Sequence, residues 1–287
     1  MAKNGSGKIT ALEIVAARAR QLMLEAVIKA GLGHLGGSFS EIDVLIALYF
    51  HIMKIDPENP KWPERDRFIL SKGHGAVGFF TTLSLRGFFS KDVLMTFRQD
   101  NSILGGHPDM QKVPGVEMST GSLGHGLSVG VGMALGAKLD GMKHRVFVLV
   151  GDGESQEGSI WEAAMAAPQH KLDNLTVILD RNRIQQSNFT DEIVSIEPCA
   201  DKWKAFRWEV REIDGHNMAE IVDVLQSVPF KQGKPSLILS HSVKGKGVSF
   251  MENTQAWHGG APKGELAEKA RKELNQRLEE LTCQQAR

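Results

Sequence analysis

The sequence predicts an α/β protein with a doubly wound, mostly parallel sheet and helices on both faces. Continuously apolar runs such as RVFVLV at 145–150 and LTVILD at 175–180 alternate with helical stretches in the second half of the chain. Such runs are typical of parallel strands that are buried on both faces. The 287 residues suffice for one large core, and 41% hydrophobic with 24% charged residues is ordinary globular composition.

Two helices open the chain. The first is predicted over 11–30, where apolar residues recur at helical spacing. Thr10 and Glu13 have the spacing of a capping box at its start, and Gly31 is placed to end it in a left-handed conformation. The second helix is predicted over 40–53 and begins with the same reciprocal capping pattern.

The remaining elements follow from the same periodicities, with a loop expected over 100–123. One domain is expected over 1–262, and the highly charged segment 263–287 is expected to be a polar, helical C-terminal tail. The predicted strands are 67–70, 145–150, 175–180, 207–213 and 236–241, and the further helices lie near 75–86, 90–98, 124–139, 157–169, 199–206 and 218–228.

Composition excludes several classes of protein. Lys+Arg and Asp+Glu are both 34, which argues against broad electrostatic binding to nucleic acid. No apolar run approaches the ~20 residues of a membrane span, because Asp43 and His51 interrupt the segment 42–53. The polar N-terminus and the two isolated cysteines, Cys199 and Cys283, favour a cytoplasmic protein without a disulfide framework.

Glycine is unusually frequent: 30 of the 287 residues are glycine, roughly a tenth of the chain, whereas a typical protein has ~7%. Glycine inside a helix costs ~1 kcal/mol relative to alanine. Several glycines in one helix indicate that a neighbouring segment packs very close to that helix. The alternative explanation is that the helix forms only weakly. The helix predicted over 124–139 contains Gly126, Gly130, Gly132 and Gly136.

The strongest local motif is GDGESQEG at 151–158, which follows the most apolar strand. In an open parallel sheet, ligands bind at the carboxyl ends of the strands. Asp152 offers hard oxygen atoms suited to Mg²⁺, and Asn182 follows the next strand, thirty positions later. A turn and helix start would explain GDG alone, but the pair Asp152 and Asn182 across a βαβ crossover is more specific.

A second motif, STGSLGHG at 119–126, is a glycine-rich loop that leads into a helix. Its backbone N–H groups and the helix dipole favour a phosphate group. There is no GxGxxG at a first βα unit and no GxxxxGK[ST], so neither a Rossmann dinucleotide site nor a P-loop is predicted.

Histidine is concentrated beside glycine, where it is accessible to a substrate and can transfer protons near neutral pH. The alternative is that loops simply contain both residue types. No zinc motif accompanies them. Six of ten histidines have a glycine neighbour: His34, His74, His107, His125, His216 and His258.

Weaker candidates have ordinary explanations. Glu154 and Glu157 open a helix, where the dipole favours acidic side chains in any protein. Lys244 and Lys246 follow a strand and can meet an anion there, but a solvated basic loop is the preferred interpretation.

Taken in order, the motifs resemble the diphosphate-binding half of transketolase, a thiamine diphosphate enzyme. The resemblance extends over about 10–262 and includes GHLGGSFSEIDVL, DRFILSKGHG, GGHPD, STGSLGHG, GDGESQEGSIWEA, LDRNRI and WHGGAP. The GDG and Asn pattern is general to thiamine diphosphate enzymes, and the ordered histidine loops favour transketolase among them.

The resemblance implies roles for individual residues. Asp152, Asn182 and the backbone carbonyl of Ile184 would hold Mg²⁺, or Ca²⁺ or Mn²⁺ in its place. Glu157 would face the partner domain. The candidate cofactor-binding residues also include His74, Gly121, Ser122, Leu123, Gly153, Glu154 and His258, and the candidate catalytic residues are His34, His107 and His258.

The sequence departs from the family pattern in three ways. TGSLGHG stands where the family has TGPLGQG, and WHGGAP has one glycine more than HGAP. The chain also ends at Arg287, before the pyrimidine-binding and C-terminal domains of a complete transketolase. The resemblance therefore implies a split transketolase that acts on sugars or sugar phosphates, with a separate C-terminal subunit in an α2β2 assembly.

Three alternatives remain open on the sequence. The chain could serve another thiamine diphosphate reaction, namely 1-deoxyxylulose 5-phosphate synthesis or 2-oxo-acid decarboxylation. It could belong to a split transketolase for an unusual sugar. It could also be a structural subunit without a catalytic role.

Overall fold

The computed structural model describes residues 2–286, with side chains from residue 7 onward. Its centre is one sheet of five strands, all parallel, in the order β1-β2-β3-β5-β4. The predicted α/β class with a parallel sheet is therefore confirmed. The strands are β1 (Arg67–Leu70), β2 (Val146–Gly151), β3 (Leu175–Arg181), β4 (Glu209–Asp214) and β5 (Ser236–His241).

Helices cover both faces of this sheet. A short π-helical turn, Leu48–Ile52, extends the second helix, and 3₁₀ turns occur at Gly73–Gly75, Gly153–Gln156 and Gln255–Trp257. The α-helices are α1 (Ala2–Ala30), α2 (Leu35–Ala47), α3 (Ala76–Arg86), α4 (Lys91–Leu94), α5 (His125–Leu139), α6 (Gly158–Gln169), α7 (Thr190–Ile193), α8 (Cys199–Ala205), α9 (Met218–Gln226) and α10 (Glu265–Gln285).

Both predicted starts of the first two helices are wrong. Helix α1 begins at Ala2, so Thr10 lies inside it, and α2 begins at Leu35 without a side-chain cap. Ser40 and Asp43 are therefore interior residues of a helix that is buried throughout. Their polar groups bond to distant parts of the chain, so tertiary contacts and not capping explain why they are polar. The left-handed end of α1 at Gly31, with φ +73°, is confirmed.

The sheet separates two apolar cores. Alternate residues of a strand point to opposite faces. In β2, Phe147 and Leu149 join the core under α1, α2, α3 and α9, whereas Val146, Val148 and Val150 join the core under α5, α6 and α8. Strand β2 is thus apolar throughout because both of its faces are covered, whereas the edge strand β4, EVREID, is only partly buried and is mostly charged.

One helical stretch, Leu35–Ile52, is long and apolar enough by composition to cross a membrane, with a mean hydropathy of 1.3 over 18 residues. The presence of Asp43 and His51 therefore does not by itself exclude a membrane span on composition. In the fold, 83% of the stretch is buried inside the protein. Its packing against α1 and α3 accounts for its apolar character.

The glycines of α5 fall into two groups. A Cβ at Gly126 would lie 2.5 Å from Ser71 Oγ, and one at Gly130 would lie 2.5 Å from Val148 Cγ2. Gly132 and Gly136 have no neighbouring atom within 4 Å of that position. Close packing thus explains the first two glycines, as predicted, and does not explain the other two.

The helix α10 packs against α1. Arg271 forms an ion pair with Glu25 at 2.7 Å, and Leu281 joins a small apolar cluster with Ile14 and Ala17. The division of the chain at residue 262 stays a prediction.

Two glycine substitutions in α5 test this packing. Gly130→Ala should lower the free energy of unfolding by about 1–3 kcal/mol, because its methyl group would overlap Val148 on the facing strand. Gly132→Ala is the matched control on an exposed position, and it should raise stability by up to about 1 kcal/mol through helix propensity. Urea unfolding of the purified chain measures both. Equal effects of the two substitutions would contradict the packing.

Candidate functional site

A cleft of about 410 Å³ lies at the carboxyl ends of β2 and β3. Ser122 is the one predicted site residue that does not line it. The twelve predicted residues that do are His34, His74, His107, Gly121, Leu123, Asp152, Gly153, Glu154, Glu157, Asn182, Ile184 and His258. Residues scattered over more than 200 positions therefore meet at one edge of the sheet.

The pairing of β2 with β3 places the two oxygen-bearing side chains together. Gly151 lies opposite Asp180 in the register, so Asp152 and Asn182 both follow immediately at the strand ends. Asp152 is 3% exposed, and its carboxylate accepts hydrogen bonds from the backbone N–H of Gly153 at 2.7 Å and from Arg181 Nη1 at 3.1 Å. Burial raises the pKa of Asp152, as does the nearby Asp180, and Arg181 opposes them.

The donor set at this edge suits a hard divalent cation. Asp152 offers carboxylate oxygens, Asn182 an amide oxygen, and Ile184 a backbone carbonyl that already faces a positive charge, the Nζ of Lys244 at 2.8 Å. Among residues 2–286, no group of three His, Cys, Asp or Glu side chains could hold a metal ion. A cation here would therefore also draw on oxygens of a bound ligand, such as a diphosphate.

Glu154 joins the two glycine motifs. It lies in the 3₁₀ turn before α6, and its carboxylate accepts hydrogen bonds from Ser71 Oγ at 2.5 Å and from the backbone N–H groups of Gly124 at 2.9 Å and Gly151 at 3.0 Å. Burial raises the pKa of Glu154, and these hydrogen bonds oppose the rise. The carboxylate thus fixes the start of α5 against the end of β2.

Four histidines border the cleft. The rings of His34, His74 and His258 have centroids 5.3–5.7 Å apart, and His107 lines the same cleft beside Gly121. A backbone bridge joins His34 to Gly260, the second glycine of WHGGAP, which has φ +127°. The two remaining glycine-flanked histidines, at positions 125 and 216, do not line this cleft.

Burial favours the neutral form of all four imidazoles. Burial, with the neighbouring charge of Arg98, lowers the pKa of His107, and burial likewise lowers the pKa values of His34 and His74. Burial and then Lys244 lower the pKa of His258 to about 3. An ammonium group only donates, so the 2.7 Å contact from Lys244 Nζ to His258 Nδ1 assigns the ring proton to Nε2.

Lys244 is the residue that sequence reasoning missed. The preferred interpretation, a solvated basic loop, is wrong: Lys244 is 2% exposed and lines the cleft. Burial, with the repulsion of Lys72, lowers its pKa to about 8. The signal in the sequence was weak, because Lys244 lies three residues after the end of β5. Gly245, with φ +79°, turns the chain there and brings the side chain back to the strand ends.

The mouth of the cleft is open to solvent beside Glu157. This residue precedes α6, and its side chain is exposed. Its predicted contact with a partner domain is compatible with this exposure and stays a prediction.

Comparison with known proteins gives one consistent result. The family model described as transketolase, thiamine diphosphate binding domain, matches residues 12–281. An apulose-4-phosphate transketolase subunit of Phocaeicola vulgatus is 48% identical over 274 residues, which cover 96% of this chain and 97% of the relative. The 6-deoxy-6-sulfo-D-fructose transketolase subunit SqwG of Clostridium sp. is 49% identical over 83% of this chain and 87% of its own.

Solved structures agree. The transketolase of Campylobacter jejuni superposes with a TM-score of 0.84 at 32% identity, covering 92% of this chain and 43% of that one. The chain thus spans less than half the length of the solved transketolases that it matches. It belongs to the transketolase family, and what it contains is the family's thiamine diphosphate-binding domain.

Proposed function

We propose that this chain is the diphosphate-binding subunit of a split transketolase, which transfers a two-carbon ketol unit from a ketose or its phosphate to an aldose or its phosphate. One observation carries the proposal: Asp152, Asn182 and the Ile184 carbonyl lie in one cleft with four histidines. The chain also matches the apulose-4-phosphate transketolase subunit over 97% of that relative's length, but human transketolase over only 43%.

Thiamine diphosphate, when bound, supplies the carbanion chemistry that breaks and forms the carbon–carbon bond. Asp152, Asn182 and the carbonyl oxygen of Ile184 would hold Mg²⁺, with Ca²⁺ or Mn²⁺ as substitutes, and the ion would bind the diphosphate. Lys244 would add a positive charge at the same place. The other residues toward the cofactor would be His74, Gly121, Ser122, Leu123, Gly153 and Glu154.

The histidines would act on the sugar. Neutral imidazoles both donate and accept hydrogen bonds, so His34, His107 and His258 can bind the hydroxyl groups of a donor and move protons between them. The proton on Nε2 of His258 makes this atom the donor toward an oxygen that gains negative charge.

A companion subunit would complete the enzyme. The names of the relatives contain "subunit", which supports a separate partner chain. We propose that it supplies the pyrimidine-binding and C-terminal domains, meets this chain at Glu157, and forms an α2β2 assembly. The cytoplasmic location and the absence of nucleic-acid and membrane partners stay predictions.

The identity of the sugar needs an assay. Two subunit relatives, 48% and 49% identical to this chain, are named for apulose 4-phosphate and for 6-deoxy-6-sulfo-D-fructose. Because the two identities are nearly equal, they do not distinguish between the two sugars as substrate. Both names contain an anionic sugar, so we propose that the donor is a ketose with a phosphate or sulfonate group.

Native mass spectrometry of the protein, purified gently from its source, tests the proposal. We expect a second polypeptide in equimolar amount, with thiamine diphosphate and Mg²⁺ retained. A homo-oligomer that holds neither cofactor nor companion would contradict the split enzyme and favour a structural role.

Asp152→Ala should abolish Mg²⁺-dependent binding of thiamine diphosphate, because it removes the carboxylate that would hold the cation. Calorimetric titration of the assembled complex measures this binding. Asp140→Ala, on an exposed residue at the end of α5, is the control and should bind like wild type. Near-wild-type affinity in Asp152→Ala would overturn the metal assignment.

His258→Ala should lower kcat by about 10²–10⁴, the usual contribution of a positioned acid or base, and should change cofactor affinity less. Steady-state kinetics of the reconstituted enzyme separate the two effects. His170→Ala, on the surface at the end of α6, should keep wild-type kinetics. Unchanged turnover in His258→Ala would remove this residue from the catalytic set.

A further inference from the structure

Asp180 lies beneath the cleft, at the end of β3 and two residues before Asn182. It is 2% exposed, and its carboxylate accepts hydrogen bonds from four side chains. Each donor comes from a different part of the fold: Ser40 from α2, Lys72 after β1, Asn182 after β3, and Ser242 after β5. A single buried group therefore ties together the segments that form the floor of the cleft.

The two carboxylate oxygens have different partners. Oδ2 of Asp180 accepts from Lys72 Nζ at 2.5 Å, from Ser40 Oγ at 2.7 Å and from Asn182 Nδ2 at 3.0 Å. Oδ1 accepts from Ser242 Oγ. The Asn182 Nδ2 also donates to Ser40 Oγ at 3.3 Å, so both bonds of this amide nitrogen point away from the cleft.

The chemistry of the partner decides which end of the amide faces the cleft. An asparagine side chain has a donor end and an acceptor end of nearly equal shape. A carboxylate that accepts has no hydrogen to give, so it binds the nitrogen end and repels the oxygen end. With Nδ2 held below, Oδ1 of Asn182 is the end left for the cleft and for the backbone N–H of Ile184, at 3.2 Å.

We propose that Asp180 is a positioning residue for the cation site, which holds the amide of Asn182 so that its carbonyl oxygen faces the ion. This inference rests on the proposed function, which makes Asn182 a metal ligand. Groups that orient a ligand in this way typically contribute 10- to 100-fold to metal affinity.

The competing explanation is that Asp180 only neutralises Lys72. That lysine is buried, and it also contacts Glu41 at 2.8 Å, so a counter-charge has a structural use of its own. The experiment must therefore separate the orientation of Asn182 from the charge beside Lys72.

Two substitutions of Asp180 separate them. In the assembled complex with thiamine diphosphate, Asp180→Asn removes the charge beside Lys72 but keeps an amide oxygen that can accept from Asn182 Nδ2, with its own Nδ2 toward Ser242 Oγ. Mn²⁺ binding, followed by electron paramagnetic resonance, should therefore stay within about threefold of wild type in Asp180→Asn. Asp180→Leu removes the charge and the acceptor together and should weaken Mn²⁺ binding by about 10-fold or more.

Two serines give a milder, matched pair. Ser40→Ala and Ser242→Ala each remove one hydrogen bond to Asp180, but only Ser40 also contacts Asn182. Ser40→Ala should weaken Mn²⁺ binding about fivefold, the value of one hydrogen bond, and Ser242→Ala by less than about twofold. This pair keeps the test available if Asp180→Leu does not fold.

Each outcome has one meaning. Wild-type Mn²⁺ affinity in Asp180→Leu, a loss in Asp180→Asn as large as that in Asp180→Leu, or equal losses in the two serine variants would overturn the positioning role and leave the proposed function intact. A wild-type complex that binds no Mn²⁺ with thiamine diphosphate would overturn the proposed function, and this inference with it.

Discussion

The parallel pairing of β2 with β3 is the constraint on which the rest of the cleft depends. Because the strands run in the same direction, their carboxyl ends reach one edge, and the register sets Gly151 against Asp180. This register brings the oxygen donors of residues 152 and 182 to the same edge of the sheet. The histidine loops reach the same edge from four other places in the chain. The strand pair therefore positions the site, and the loops carry its histidine side chains.

Charge is concentrated beneath this edge, where water is scarce. A buried charge is destabilising unless it is paired, and the pairs here link neighbouring segments. Lys72 lies between Asp180 and Glu41, and burial raises the pKa of Glu41 to about 7 even beside this lysine. Among the residues that the structure describes, the hydrogen-bond partners of Lys244 are neutral, the Ile184 carbonyl and an imidazole, so an anionic ligand in the cleft would stabilise its charge.

The positions of β2, β3 and β5 were predictable from the sequence because burial on both faces leaves a nearly continuous apolar run. Helix starts were not, since Thr10 and Asp43 fit a local capping pattern that tertiary contacts override; Asp43 pairs with Arg20 and with His216, 173 positions away. The site motif around Asp152 was visible because its spacing is local to one βαβ unit. The role of Lys244 was not visible in the sequence, because only the fold brings the turn after β5 back over the strand ends.

The two apolar cores on opposite faces of the sheet have a consequence for how such a chain can evolve. Adjacent residues of β2 belong to different cores, so a one-residue insertion there would send every following side chain to the wrong face, and Asp152 with them. Insertions and deletions within the strands are therefore not tolerated. Connecting segments whose side chains join neither core, such as 140–144, can change in length without disturbing either one.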